Sequence, residues 1–192
     1  NALLLLQQLT LRPTRPTERV VLFGNGGGTS VLATDFFAER GLQITPFSAK
    51  TRAILDALGL PPGTSVANPI DTPVGTLQRE EGRVANEILE IVYDTTSVDA
   101  VVMHLNLAAF VGRGDVDPID NLFQAAVSIG ERYPGQAHFV LALRSDGSTE
   151  IDDKKRDYRK RALNAGIPVF DELSDAAEAL AVVGHIEKLL TG

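Results

Sequence analysis

Continuous apolar runs alternate along the chain with segments whose apolar residues recur at helical spacing. Residues 20–24 (Val20-Val21-Leu22-Phe23-Gly24), 99–105 and 138–143 read as strands buried on both faces. Shorter runs at 42–46, 65–68 and 167–170 predict three further strands. The intervening spacing predicts a helix from Thr29 or Ser30 to about Arg40, closed by Gly41. A second helix starts after a Ser48 cap and runs to Leu58, ahead of Gly59 and the Pro61-Pro62-Gly63 breaker. Helices over 77–93, 118–133 and 150–164 follow, and a last one over 174–190 is capped by Ser174.

Strands of this kind alternating with helices predict an α/β, three-layer, flavodoxin-like domain. Its mostly parallel sheet is expected in the order 2-1-3-4-5, with a possible sixth strand and helices on both faces. Sheets of this order bind ligands where the strand order reverses, and residues 24–28 and 68–71 would meet there. Residues 1–17 predict a lead-in helix and a Pro13/Pro16 linker from an upstream domain, leaving 18–192 as the folded unit.

Composition narrows the setting. The 192 residues carry a net charge of −7, which argues against a nucleic-acid surface or an acidic membrane. No apolar run approaches the roughly 20 residues of a membrane helix, and residues 2–6 lack the features of a signal peptide. With no cysteine there is no disulfide framework or thiolate metal site, which fits a cytoplasmic protein. The single methionine is Met103, so a chain opening on Asn1 is expected to be a piece of a longer one, with Asn1-Ala2 a candidate tag remnant.

The most informative chemistry follows Phe23. A buried strand breaks into Gly24-Asn25-Gly26-Gly27-Gly28 and a helix begins at once. The first amides of a helix lack internal partners and carry partial positive charge, and glycines let an anion come close. Asn25, Gly26, Gly27, Gly28, Thr29 and Ser30 are therefore candidates for binding phosphate or another anion. The dinucleotide fingerprint fails because Thr29 stands where its third glycine belongs, and no acid ends the 42–46 run. A phosphate-cradling nucleotide loop would need a nearby lysine, and none is present. The acid-and-lysine pattern of a phosphoreceiver is replaced by Asn25-Gly26 and Arg144-Ser145. Only Phe47 and Phe110 could flank a flavin. Pro69 holds Asn68 extended, so Asn68 and Asp71 either project into the crevice as polar groups or satisfy local backbone in an Asx turn.

Asn25-Gly26-Gly27-Gly28, Val31-Leu32-Ala33-Thr34-Asp35 and Asn68-Pro69-Ile70-Asp71, in that order, resemble the NDP-forming acyl-CoA synthetases, the acetate–CoA ligase (ADP-forming) relatives of succinyl-CoA synthetase. The closing Ala165-Gly166-Ile167-Pro168-Val169-Phe170 and the alanine-rich helix at 176–180 extend the resemblance over essentially the whole chain. It is to the last flavodoxin-like domain of the ligase alpha part. The family converts acid, CoA and nucleoside triphosphate to acyl-CoA, nucleoside diphosphate and phosphate, through an acyl phosphate and a phosphohistidine on a mobile loop. The resemblance implies that the amides around Gly26–Thr29 dock that phosphohistidine. It also implies that CoA and ATP/ADP act in the parent enzyme, on CoA-binding, phosphohistidine and ATP-grasp domains that are partners of this one.

The departures matter. The family's histidine sits in a Ser-His-Thr-Gly context, whereas here His104 precedes Leu105, His138 precedes Phe139 and His185 precedes Ile186. Gly-Gly-Pro-Gly becomes Gly-Gly-Gly-Thr-Ser, and the acids that often follow the Asn-Pro turn become Thr72-Pro73-Val74-Gly75. No catalytic residue, metal ligand set or tightly bound cofactor is expected in this chain, which should not turn over alone. The alternative is a non-catalytic regulatory or interface module of a related multidomain protein, such as an acyltransferase-fused relative. His104 and the mixed charges of 152–161 are expected to be structural, and His138 and His185 bystanders. Asp115, Asp117 and Asp120 are expected to serve a helix start, and the 106–114 loop the mobile edge of the crevice or a partner surface.

Overall fold

A computed structural model describes residues 2–9, 15–77, 79–110 and 118–191. Five parallel strands form one sheet in the order β2-β1-β3-β4-β5. They are β1 (Val20–Gly24), β2 (Ile70–Asp71), β3 (Ala100–Asn106), β4 (His138–Arg144) and β5 (Val169–Phe170). Helices α1 (Ala2–Leu9), α2 (Gly27–Glu39) and α8 (Leu173–Thr191) cover one face. On the other lie α3 (Ala49–Asp56), α4 (Val74–Leu77), α5 (Arg83–Thr95), α6 (Pro118–Arg132) and α7 (Thr149–Asn164). Strand side chains alternate between the two cores: Val21, Phe23, Val101, Met103, Leu141 and Leu143 face α3–α7, while Val20, Leu22, Val102 and Val140 face α1, α2 and α8. Both cores exclude water, so the runs are apolar throughout, as a doubly covered parallel sheet requires.

The three long strands and the sheet order follow the sequence expectation, but the outer edge of β1 does not. Residues 42–46 form no strand, and Gln43 makes only a bridge to Arg19. The 65–68 segment is not a strand either. Its place is taken by Ile70–Asp71, with Ser65 bridging back to Asp71. The reason is geometric. Gln43 bonds the start of β1, accepting from Val20 N at 2.9 Å, and β2 pairs with Phe23 and Gly24 at its end. The stretch between is completed by a side chain: Asn68 Oδ1 accepts from Leu22 N (3.1 Å) while Nδ2 donates to Val20 O (2.8 Å) and Thr45 O (3.1 Å). One carboxamide thus does the work of a missing strand residue.

Other differences are local. Helix α2 starts at Gly27, ahead of the expected Thr29 or Ser30, because Gly26 at φ +109° supplies the turn. The expected 77–93 helix is interrupted by a 3-10 turn, Arg79–Gly82, where Glu80 and Glu81 adopt positive φ. Leu173 opens α8, which places Ser174 inside the first turn rather than at the cap. Ser48 caps α3 as expected, its Oγ accepting from Thr51 N at 3.1 Å. The lead-in helix packs onto the sheet: Leu5 is fully buried, and Gln8 Nε2 donates to the Phe139 and Gly166 carbonyls. Below the sheet, Asp99 accepts from Arg19 through both carboxylate oxygens and from its backbone amide.

Asn68→Asp keeps the shape of the edge bridge but removes its donors and sets a carboxylate against two carbonyls. The expected loss is about 2–3 kcal/mol of unfolding free energy near pH 7, read from urea midpoints. An unchanged midpoint would show that the bridge carries no stability.

Candidate functional site

Gly24 ends β1 in van der Waals contact with β3. A Cβ there would lie 1.9 Å from the His104 carbonyl oxygen, so only glycine allows the two strands to pair at this point. Beyond it Asn25 turns inward, its Oδ1 accepting from Asn106 N at 3.0 Å, which ties together the ends of the two central strands. The loop therefore opens where the strand order reverses, above β1 and β3.

The six loop residues divide into two groups. Asn25 and Ser30 are buried and belong to the scaffold, while Gly26, Gly27, Gly28 and Thr29 reach the surface. Gly26 O accepts from Thr29 N (2.9 Å) and Ser30 N (3.1 Å) and so closes the first turn. Gly26 N donates to Asp71 Oδ1 at 2.8 Å. The Gly27 and Gly28 amides, the first two of α2, have no acceptor within their own helix.

Three side chains complete the position. Arg144, the last residue of β4, donates from Nη1 to Thr29 Oγ1 at 3.1 Å and faces Glu172 at 3.3 Å. Its guanidinium, shared with the Glu172 carboxylate, brings positive charge beside the helix terminus. Asp71 adds a negative one: a Cβ on Gly27 would stand 2.7 Å from its Oδ2, whereas one on Gly28 would meet nothing within 4 Å. Under the turn, His104 Nε2 and Ser30 Oγ share a hydrogen bond of 2.9 Å. Burial, and secondarily the charge of Arg144, lower the His104 pKa from 6.5 to about 4. The ring is held neutral and buried, and its place is beneath the turn, where it meets Ser30.

Of the predicted crevice pair, Asp71 reaches the loop and Asn68 does not, because its carboxamide is spent on β1 and Thr45. Arg144 entered the sequence argument only as the wrong residue for a phosphoreceiver. Its value comes from β4 ending beside α2, a tertiary fact that local spacing does not carry. His138 lies away from the loop and has a structural place: it opens β4 fully buried, with Nε2 3.1 Å from Glu187 Oε1, while Thr17 Oγ1 donates to Glu187 Oε2 at 2.6 Å. His185 is exposed on α8, and Asp120 pairs with Arg161. The charged face of α7 is laced with ion pairs, as expected, with Lys155 and Arg159 both on Asp171. Asp115, Asp117 and the 112–114 glycines lie outside the described residues. Among the described residues there is no cluster that could hold a metal ion, and no helix is long and apolar enough to cross a membrane.

Cavities open elsewhere on the molecule. One of about 310 Å³ is lined by Gln8, Tyr133, His138 and Ile167, and one of about 250 Å³ by Arg19, Thr45, Phe47 and Asn68. Neither is lined by a residue of the glycine loop.

No family model matches the chain. A curated relative, the acetate–CoA ligase (ADP-forming) II subunit alpha of Pyrococcus furiosus, is 25% identical over 168 residues, covering 88% of this chain and 34% of the relative. The chain is a homologue of one part of that ligase subunit. Solved structures share its fold. A crystal structure from Pyrococcus horikoshii OT3 matches with a TM-score of 0.70 at 20% identity, over 93% of this chain and 37% of that one. The apo dinucleotide-forming acetyl-coenzyme A synthetase 1 of Ca. Korarchaeum cryptofilum matches with a TM-score of 0.68 at 18% identity, over 96% and 38%. The same synthetase in complex with phosphate and ADP gives 0.67 at 16% identity, over 96% and 37%. The chain thus spans little more than a third of the length of the relatives it matches.

Since the folded-state pKa of His104 lies below 6.5, the unfolded chain takes up the proton first on acidification. The stability contributed by the neutral ring is complete above 6.5 and is lost as pH falls toward 4. The loss is on the order of 3 kcal/mol. Urea unfolding across this interval should show the decline in the parent and a flatter profile in His104→Gln. Parallel profiles would mean that the histidine is not held neutral.

Proposed function

We propose that this chain is a domain of an NDP-forming acyl-CoA synthetase, in which the start of α2 docks the phosphohistidine of a partner domain while acid, CoA and nucleoside triphosphate become acyl-CoA, nucleoside diphosphate and phosphate. The observation that carries the reading is the pair of amides that open α2, Gly27 and Gly28, without acceptors in their own helix and beside the Arg144–Thr29 contact. Amides at the surface end of a helix can meet a phosphoryl group delivered on another protein surface. Homology to a ligase subunit and coverage of little more than a third of its relatives support a division of labour among domains.

The chemistry asked of this chain is electrostatic. When a phosphoryl group moves on or off an imidazole nitrogen, charge shifts over its oxygens, and fixed amides meet that charge without reorganising. Gly27 and Gly28 supply the amides, Arg144 a countercharge and Thr29 a hydroxyl already aligned by that arginine. His104, Ser30 and Asn25 hold the turn that aims them. CoA and ATP or ADP would act on the CoA-binding and ATP-grasp domains of the same protein or complex, in the cytoplasm, with no tightly bound cofactor here. In the domain division proposed, residues 1–17 lead in and 18–192 form the docking unit.

One observation favours the alternative, a non-catalytic interface or regulatory module: Asp71 already gives the loop an anion through Gly26 N. Gly28→Asp distinguishes the two. The position has room for a side chain, and a carboxylate in the first turn suits the helix, so the thermal midpoint should hold. In the full-length or reassembled enzyme, histidine labelling from radiolabelled nucleoside triphosphate should fall roughly tenfold or more. Undiminished labelling would leave only the alternative. Arg144→Leu is expected to lower the labelling in the same assay and to weaken phosphate inhibition, since it removes the countercharge.

A further inference from the structure

Helix α2 is apolar on both sides. Inward, Ala33 and Phe37 are buried against α8 and the sheet. Outward, Val31 is 66%, Leu32 64% and Phe36 41% exposed. A helix apolar all round belongs between two layers, and this chain supplies one of them. The outward side chains lie together: Gly28, Leu32 and Phe36 follow one another at four-residue intervals, with Val31 and the exposed charges of Asp35 and Glu39 alongside. The stripe therefore begins at one of the two amides that point outward.

We infer that this outward face of α2 is an interdomain docking surface, whose occupant is an apolar patch on the domain that delivers the phosphoryl group. The inference rests on the proposed function and names the contact that would orient its partner. The positive end, made by the helix terminus and Arg144, meets the anion. The apolar stripe meets the surface beside it. Size decides against a second copy of this chain as the occupant. Three part-exposed side chains offer on the order of a few hundred Å², against roughly 800 Å² per partner in a stable complex. Such a face holds a partner that the rest of the assembly already keeps near, where effective concentration replaces contact area. The relatives, nearly three times the length matched, have chain enough to supply that partner.

Hydroxyl-radical footprinting of the isolated chain and of the full-length or reassembled enzyme tests this directly. Leu32 and Phe36 should label readily in the isolated chain and several-fold less in the assembly, and equal labelling would overturn the inference. Sedimentation should show the isolated chain as a monomer, and a dimer that Leu32→Ser dissolves would overturn it in favour of a second copy. Leu32→Ser, at an exposed position, should leave the thermal midpoint unchanged while abolishing the protection of Phe36 in the assembly. Retained protection counts against the docking face. Gly28→Asp separates the two ideas, since Phe36 should remain protected while histidine labelling falls. Protection with undiminished labelling would sink the phosphohistidine reading and leave the docking surface standing.

Discussion

The carboxamide of Asn68 occupies the stretch of β1's outer edge that no strand covers. β1 is bounded by Gln43 at its start and by β2 at its end. Between them, Leu22 N and Val20 O would be buried without partners, which the interior of a protein seldom tolerates. By answering both, Asn68 lets β1 remain a strand up to Gly24. It also delivers the chain through Pro69 into Ile70–Asp71, which puts Asp71 against Gly26. The position of the glycine loop is thus set from below by a side chain that never touches it.

Contacts across β1 and β3 finish the placement. Gly24 lets β3 come close enough for the His104 carbonyl to accept from Asn25 N at 3.4 Å, and Asn25 then fastens Asn106. His104 turns its ring under the first turn of α2, where Ser30 meets it. Each of these groups is polar, buried and paired, so the loop is rigid for a reason other than its glycine content. Flexible residues sit on an inflexible footing, which suits amides that must be aimed before an anion arrives.

Much of this was legible in the chain. Buried strands at 20–24, 99–105 and 138–143 announce themselves through unbroken apolar runs, and the sheet order follows from handed crossovers. The glycine loop was legible because a strand, four glycines and a helix admit few geometries. What failed to show was any feature in which a side chain imitates backbone or a contact spans distant segments. Asn68 looked like a crevice residue because nothing local says that the edge of β1 lacks a partner. Arg144 looked incidental because its contact with Thr29 crosses 115 positions. The short strands at 42–46 and 65–68 were misplaced for the same reason as Asn68, since apolar content cannot decide which segment reaches an edge first.

On the proposed function, Asp71 sets the depth of the anion well. A loop of bare amides beside an arginine would hold a phosphate firmly, and a tightly held phosphoryl group is a poor thing to pass on. Here a fixed carboxylate accepts from Gly26 N and crowds Gly27, so any second anion arrives against a standing repulsion. Attraction from Gly27, Gly28 and Arg144 is offset by a charge of the same sign as the cargo. On the proposed function, such a position would serve as a transfer point rather than a store, because the standing charge would make departure little harder than arrival.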